Sequence, residues 1–318
     1  MTYLDNCWKI TDQSTEQVHG LSTQQEEADG CLLLHAAHAV AEGYSAIVIC
    51  SEDTDVFILC LAFSERLNVP LFQKCGTQSR TRLVDITSVS SALGSDVCKA
   101  LLGVHSFTGC DSVSAFAGRG KQRAFQIIKS DQNARNVLGK LGETWTLSSD
   151  MHSQLERFAC KLYATKPGTH DINELRYNLF CARKGEIESH QLPPSKDCLM
   201  KHSLRANYQA AIWKRSLEND PQAPNPVGLG WQLEECAGTQ HLVIDWMGGS
   251  PAPEAILELL SCKCTRSCKS PSCVCIANGL KCTDMCRLMN CDNQPQESET
   301  LEENEHYDGD DDDNEDSF

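Results

Sequence analysis

Between residues 23 and 130, apolar stretches of helical length alternate with short, continuous β-branched runs, and this alternation predicts an α/β domain. ADGCLLLHAAHAVAEG reads as a helix: Thr23 and Glu26 are spaced as a capping box ahead of it, and Gly43 is placed to stop it. YSAIVIC is short, continuous and β-branched, so it is expected to be a strand buried on both faces. DVFILCLAFSERL is too long for a typical strand and follows acids able to cap it, which predicts a helix. PLFQKC and RLVDI read as further strands. From 131 to 192 the pieces RNVLGKLG and HSQLERFACKLYA are helical in period, and SLRANYQAAIWKRSLEN is a strong helix pattern. PQAPNPVGLGW then predicts a loop from its Pro and Gly content. SPAPEAILELLS, with Pro253 near a first turn, predicts a short helix.

These pieces divide the chain into a polar, weakly patterned segment (1–22), an α/β domain (23–130), a mainly helical region with a Pro/Gly linker (131–260), a cysteine-rich module (261–293) and an acidic tail (294–318). No internal repeat is present. The tail is too charged and too poor in apolar residues to fold alone. It also dominates the charge. Residues 297–316 hold 12 acids and neither Lys nor Arg, and the rest of the 318 residues carry 28 basic against 32 acidic side chains. The net charge of -16 therefore does not exclude nucleic-acid binding by the body. No stretch reaches the roughly 18 consecutive apolar residues of a membrane span, and the polar start lacks the apolar core of a secretory signal. An intracellular protein with no membrane partner is the expectation. Of the 19 cysteines, eleven are scattered and read as small buried hydrophobes, whereas eight lie between Cys262 and Cys291.

The candidate chemistry starts at SEDTD, where Asp53 and Asp55, with Glu52 beside them, follow the β-branched run. Capping of the next helix accounts for one of these acids and leaves the second unexplained. Glu26, Glu27 and Asp29 stand at the start of the preceding helix, and Asp111 follows in FTGCDSVSAF. Carboxylates at element ends can converge on a sheet rim, where a divalent cation offsets their repulsion. Hard oxygen ligands suit Mg²⁺ or Mn²⁺, and a pair of such ions can hold both the attacking water and the leaving oxygen of a phosphodiester. On a regular helix Glu26 and Asp29 share a face while Glu27 and Asp29 do not, so either the first turn is irregular or Glu26 is the ligand.

The run from EEADGCLLL through VICSEDTDVFILC to LLGVHSFTGCDSVSAFAGRGKQRAFQII resembles the flap endonuclease and XPG group of PIN-like nucleases. The resemblance covers about residues 24–130 and implies a partial PIN-like parallel sheet flanked by helices. It also implies metal-dependent cleavage, with Glu27 and Asp29, Asp53 and Asp55, and Asp111 as the catalytic carboxylates. AGRGKQRAF resembles the hairpin by which that family grips the phosphate backbone, which implies roles for Gly118, Arg119, Gly120, Lys121 and Arg123. The alternative for this stretch is a glycine turn with solvated bases; it is not a Walker A loop, since Gln122 stands at the Ser/Thr position. The family's sheet begins with an earlier strand bearing another metal-binding Asp, followed by a long basic segment. With 25 residues before Glu26, the chain is expected to match the later, N-terminally incomplete part of such a nuclease.

The cysteine module spaces its thiols as C-x-C-x3-C-x4-C-x-C-x6-C-x3-C-x4-C: Cys262, Cys264, Cys268, Cys273, Cys275, Cys282, Cys286 and Cys291. So many thiols among so few apolar residues argue for Zn²⁺ in place of a hydrophobic core, ahead of a disulfide knot or an iron-sulfur cluster. The pattern resembles the CXC module of tesmin and TSO1-like proteins, in which nine cysteines share three zinc ions and contact DNA, and the closing Cys291 and Asn293 fit it. Two positions depart from that module: Cys286-Arg287-Leu288 replaces a C-x-C, and Ser272 replaces a minor-groove aromatic. Lys263, Arg266, Lys269, Lys281 and Arg287 are candidate phosphate contacts or simply solvated charges.

Two functional expectations result. One is a metal-dependent nuclease, derived from a mobile element and delivered to DNA by a zinc module in the nucleus. The other is a catalytically inactive nucleic-acid or chromatin-binding protein that retains the fold. DNA is the first expected partner and RNA the alternative, with basic proteins such as histones expected at the tail. Trp213, Trp231 and Trp246 read as core residues.

Overall fold

The computed structural model describes residues 2–3, 6–10, 12–23, 25, 27–77, 80–182, 192–236 and 238–248, together with 262–269, 271–277, 279, 282, 286–288 and 291–293. The chain divides into two compact units, Met1–Trp246 and Met247–Phe318. The helix expected over 250–261, the tail over 294–318, Glu26, Asp5 and Lys281 lie outside the described residues.

The first unit opens with an antiparallel sheet of β1 (Thr2–Tyr3), β2 (Asn6–Ile10) and β3 (Thr15–Gln17), in a segment the sequence pattern leaves unstructured. Its strands are too short for alternation to register, and a small cluster of Cys7, Val18, Leu21 and Leu34 fastens it to α1 (Ala28–Ala41). Gly43, at φ 92°, ends that helix as expected.

Strand β4 (Ile47–Cys50), helix α2 (Thr54–Leu67), strand β5 (Leu71–Cys75) and strand β6 (Arg82–Asp85) follow, with sheet order β4-β5-β6. Strands β4 and β5 are parallel because α2 supplies the long crossover that parallel pairing needs. Strand β6 returns antiparallel after a short turn, so the sheet is mixed rather than wholly parallel. Burial of YSAIVIC on both faces is likewise overturned: Ile49 is buried, but Val48 is 52% exposed and Cys50 is exposed. Strand β4 is a sheet edge among the described residues, and α1 and α2 pack against each other, leaving Val48, Cys50, Lys74 and Leu83 on the open face.

The remaining helices of this unit are α3 (Ile86–Leu93), α4 (Ser95–Thr108), α5 (Lys121–Ser130), α6 (Gln132–Lys140), α7 (Ser149–Tyr163), α8 (Ile172–Ala182) and α9 (Lys196–Lys214). Helix α4 lies at the centre and packs against α2, α5, α6 and α9. One hydrophobic core runs from Leu33 to Trp213 and joins regions that read separately along the sequence. Each fully buried Leu, Ile or Phe in it contributes about 2 kcal/mol, so helix packing rather than the half-open sheet dominates stability. The loop over 221–230 is observed as expected. It leads into a hairpin of β7 (Trp231–Cys236) and β8 (Thr239–Ile244), which was not read from the sequence.

Gly103 makes the central crossing possible. A Cβ there would sit 2.1 Å from the carbonyl oxygen of Leu138, whereas a Cβ on Gly139 of the facing helix meets nothing closer than 4.0 Å. Gly103→Ala is therefore expected to cost about 2–3 kcal/mol by overpacking against rigid backbone. Gly139→Ala is expected to be neutral or slightly stabilising. Urea denaturation of the two variants checks the contrast, and equal stabilities would refute the close approach.

In the second unit the described residues include one short helix, α10 (Val274–Ala277), and the packed core is made of cysteines.

Candidate functional site

Glu27 precedes α1 in extended backbone (φ -83°, ψ 125°) rather than standing within it. The opposed-face rule therefore does not separate it from Asp29, while Glu26, the other candidate, lies outside the described residues. Asp53 is the N-cap of α2, its Oδ1 accepting from the Asp55 amide at 2.8 Å, so the bland reading of this acid is correct as far as it goes. Gln73, 4% exposed, donates from Nε2 to the Ser51 carbonyl at 2.9 Å and steadies the strand end. Glu52 turns away and accepts from the Gly76 amide. Asp111 sits in the tight loop after α4, where Gly109 takes φ 119° with Ala115 closely packed on it.

The other four carboxylates come within electrostatic reach of Asp29. Burial, followed by the charges of Asp53, Asp55, Glu27 and Asp111, raises Asp29 from 3.8 to about 6. Burial is also the largest cause raising Glu27; hydrogen bonds from Gln209 and Trp213 oppose it, and Asp55 and Asp111 add to it. The set is open: among the described residues, the groups of three or more His, Cys, Asp or Glu whose ligand atoms all lie within 4.8 Å are cysteine sets.

Three residues to which the sequence assigned no role at the site hold Asp55 and Glu27. His105 Nε2 meets Asp55 Oδ1 at 2.5 Å, and since an ionised carboxylate only accepts, Nε2 carries the proton. Gln209 Nε2 donates to Glu27 Oε1 at 2.8 Å, and Trp213 Nε1 donates to Glu27 Oε2 at 3.0 Å. The available signals were a lone His inside the apolar run LLGVHSF and the spacing of Gln209 and Trp213, four residues apart on one helix face.

The basic loop resembles a phosphate grip less closely in place than in sequence. The Arg119 guanidinium lies 5.1 Å above the Tyr163 ring and its Nη1 donates to the Gly118 carbonyl. Arg123 Nη2 donates to the Lys161 carbonyl at 3.1 Å, at the end of α7. Both are half-buried against α7, while Lys121 is exposed in the first turn of α5, with Gly120 at its N-cap and Gly118 in an open turn. The three tryptophans also differ: Trp213 is core at 2% exposure, Trp231 is half-buried, and Trp246 is 57% exposed beneath the Arg205 guanidinium, correcting its assignment to the core.

In the second unit none of the eight cysteines of the module is joined in a disulfide. Cys262, Cys275, Cys282 and Cys286 form one buried tetrad, and Cys262, Cys268, Cys273 and Cys282 form another, so Cys262 and Cys282 belong to both. Sulfur separations of 3.6 Å (Cys262 to Cys268), 3.7 Å (Cys275 to Cys286) and 4.0 Å (Cys262 to Cys282) are far too long for disulfides. They match the edge of a thiolate tetrahedron with metal-sulfur bonds of about 2.3 Å, which is about 3.8 Å. The cluster can thus hold a metal ion, and its ligand set is that of zinc. Cys264 and Cys291 pack at its margin. The Ile276 amide, against the cost of burial, draws the Cys273 thiol down to about 6. Asn293 Nδ2 donates to Cys282 Sγ at 3.2 Å, giving the closing Asn a supporting contact. Lys263, Arg266, Lys269 and Arg287 are exposed around the module, and Ser272 donates to the Lys269 carbonyl in a local turn.

Compared with family models, with curated proteins and with solved structures, the chain matches none. Among the described residues no helix is long and apolar enough to cross a membrane.

The raised value of Asp29 has a measurable consequence. An Asp held above its unfolded value of 3.8 binds its proton more tightly in the folded chain. Ionisation therefore lowers stability as pH rises through about 6, and the penalty is absent below about 4. Asp29→Asn is expected to raise the melting temperature at pH 7.5 without divalent ions, with the gain vanishing toward pH 4. Thermal melts followed by circular dichroism read this, and a gain independent of pH would show that ionisation of Asp29 is not its cause.

Proposed function

We propose that this chain is a metal-dependent nuclease-like protein acting on nucleic-acid phosphodiesters, with a zinc module that contacts DNA. What carries the reading is the gathering of acids around Asp29: neighbouring Glu27, Asp53 and Asp55 from the start of α2, and Asp111 from the loop after α4 all act on its charge. Acids gathered with so little compensation fit a divalent cation, and all-oxygen donors fit Mg²⁺ or Mn²⁺ rather than a soft metal. When bound, such an ion supplies a polarised water and a stabilised leaving oxygen. The residues of the chain orient the carboxylates: Asp53 caps α2 through Oδ1, and Asp55 is fixed by His105. The resemblance to flap endonuclease and XPG-type PIN-like nucleases supports the same reading, as does the resemblance of the cysteine spacing to CXC modules. Exposed Lys263, Arg266, Lys269 and Arg287 suit phosphate contacts on DNA first and RNA second. A nuclear, mobile-element-derived protein whose acidic tail meets basic proteins is consistent with this reading.

The inward commitment of Arg119 and Arg123 and the open spacing of the acids favour a second reading, a catalytically inactive nucleic-acid binder. Incubation of the zinc-loaded chain with end-labelled DNA and RNA separates the two. Cleavage in Mg²⁺ or Mn²⁺ that EDTA abolishes supports the first; retention of nucleic acid without cleavage supports the second.

A further inference from the structure

Two of the five carboxylates, Asp55 and Glu27, are held from behind by a continuous line of side chains. His105, on α4, is 2% exposed and reaches Asp55 Oδ1 at 2.5 Å. Its ring lies against that of Trp213, on α9, with centroids 5.6 Å apart at 37°. The indole Nε1 of the same Trp213 donates to Glu27 Oε2 at 3.0 Å, and Gln209, one turn earlier on α9, donates to Glu27 Oε1 at 2.8 Å. Gln209 Oε1 in turn accepts from Ser112 Oγ at 2.6 Å, next to Asp111. Gln209 and Trp213 are 3% and 2% exposed. Ordinary core packing does not ask for this chemistry. A buried His, Gln and Trp each direct an N–H at a carboxylate of the set.

We infer that His105, Gln209 and Trp213 are positioning residues of the carboxylate set, orienting Asp55 and Glu27 so that a divalent cation finds defined lone pairs; the inference rests on the nuclease reading above. At Asp55 the bond to His105 occupies Oδ1 and leaves Oδ2 as the atom for the ion. At Glu27 both oxygens already accept a protein N–H, which favours a single-oxygen or water-mediated contact over a bidentate one. Helix α9 also joins the segment before α1 to the Asp111 loop, so two stretches far apart in the chain are set by one rigid element. The polar groups that hold metal-binding carboxylates typically change metal affinity 10–100-fold when removed.

The test is Mn²⁺ binding by the zinc-loaded full chain, read from the electron paramagnetic resonance signal of free Mn²⁺, for wild type, His105→Leu, His105→Gln and Trp213→Phe. The leucine variant deletes the donor at similar bulk, glutamine restores an N–H donor, and phenylalanine keeps the ring beside His105 while deleting the donor to Glu27. His105→Leu and Trp213→Phe are expected to weaken Mn²⁺ binding about 10-fold each, with His105→Gln recovering most of that loss. Circular dichroism confirms the folded state of each; Trp213→Phe carries the test should His105→Leu not fold. Wild-type affinity in both folded variants overturns the positioning role and leaves the nuclease reading standing. Failure of wild type itself to bind Mn²⁺ overturns both.

Discussion

Cys282→Ser is expected to lower the zinc content of the chain by two ions per molecule, and Cys268→Ser or Cys286→Ser by one. The asymmetry follows from the two tetrads. Cys268 serves one and Cys286 the other, but Cys282 and Cys262 serve both, with their sulfurs 4.0 Å apart. Losing a shared thiolate removes a ligand from two ions at once. The unit has few other means of holding its shape, because its packed core among the described residues is the cysteines themselves with Ile276 and Leu288. Structural zinc of this kind contributes about 10–16 kcal/mol of apparent binding free energy at neutral pH. Chelation is therefore expected to unfold the module while the unit Met1–Trp246 keeps its own melting transition. Native mass spectrometry counts the ions. Equal losses for Cys282→Ser and Cys268→Ser would show that no thiolate is shared.

Asp53→Asn combined with Asp55→Asn is expected to reduce metal-dependent cleavage by about 10³-fold or more. A catalytic cation supplies several kcal/mol of charge stabilisation, and about 4 kcal/mol corresponds to 10³ in rate. The amide pair is the informative choice because it changes charge with little change of shape. An Asn at position 53 still offers an oxygen to the Asp55 amide it caps, and Asn is as good an N-cap as Asp. An amide oxygen at position 55 can still accept from His105. Alanine at position 53 would instead add about 1 kcal/mol of cap loss and blur the result. With two like charges gone, the metal-free double variant is also expected to melt higher than wild type at neutral pH. A variant that is stabilised but still cleaves as wild type would place the chemistry elsewhere.

Local rules are legible where a segment's own residues satisfy them. SEDTD caps α2 through Asp53, Gly43 stops α1, and HSQLERFACKLYA and SLRANYQAAIWKRSLEN form α7 and most of α9. Pairing direction was not legible, since the length of the turn over 76–81 rather than any strand residue makes β6 antiparallel. The exposure of Val48 depends on what covers a sheet face, and the strand itself carries no mark of that. The burial of polar residues on α9 was not legible either: His202, Arg205, Asn207 and Gln209 are all buried and bonded, His202 to the Phe107 carbonyl and Asn207 to the Gly142 amide.

By itself, then, the sequence determined which acids and thiols this protein carries, their order, the helices that present them and the spacing of a metal-binding cysteine cluster. Tertiary structure alone decided that His105, Gln209 and Trp213 direct N–H groups at Asp55 and Glu27, that Arg119 and Arg123 turn inward, and that Cys262 and Cys282 stand in two tetrads. The physical reason is distance along the chain. Capping and helical period act over a few residues, where composition specifies them. Hydrogen bonds between positions 27 and 213 exist only once packing around α4 has carried those residues together.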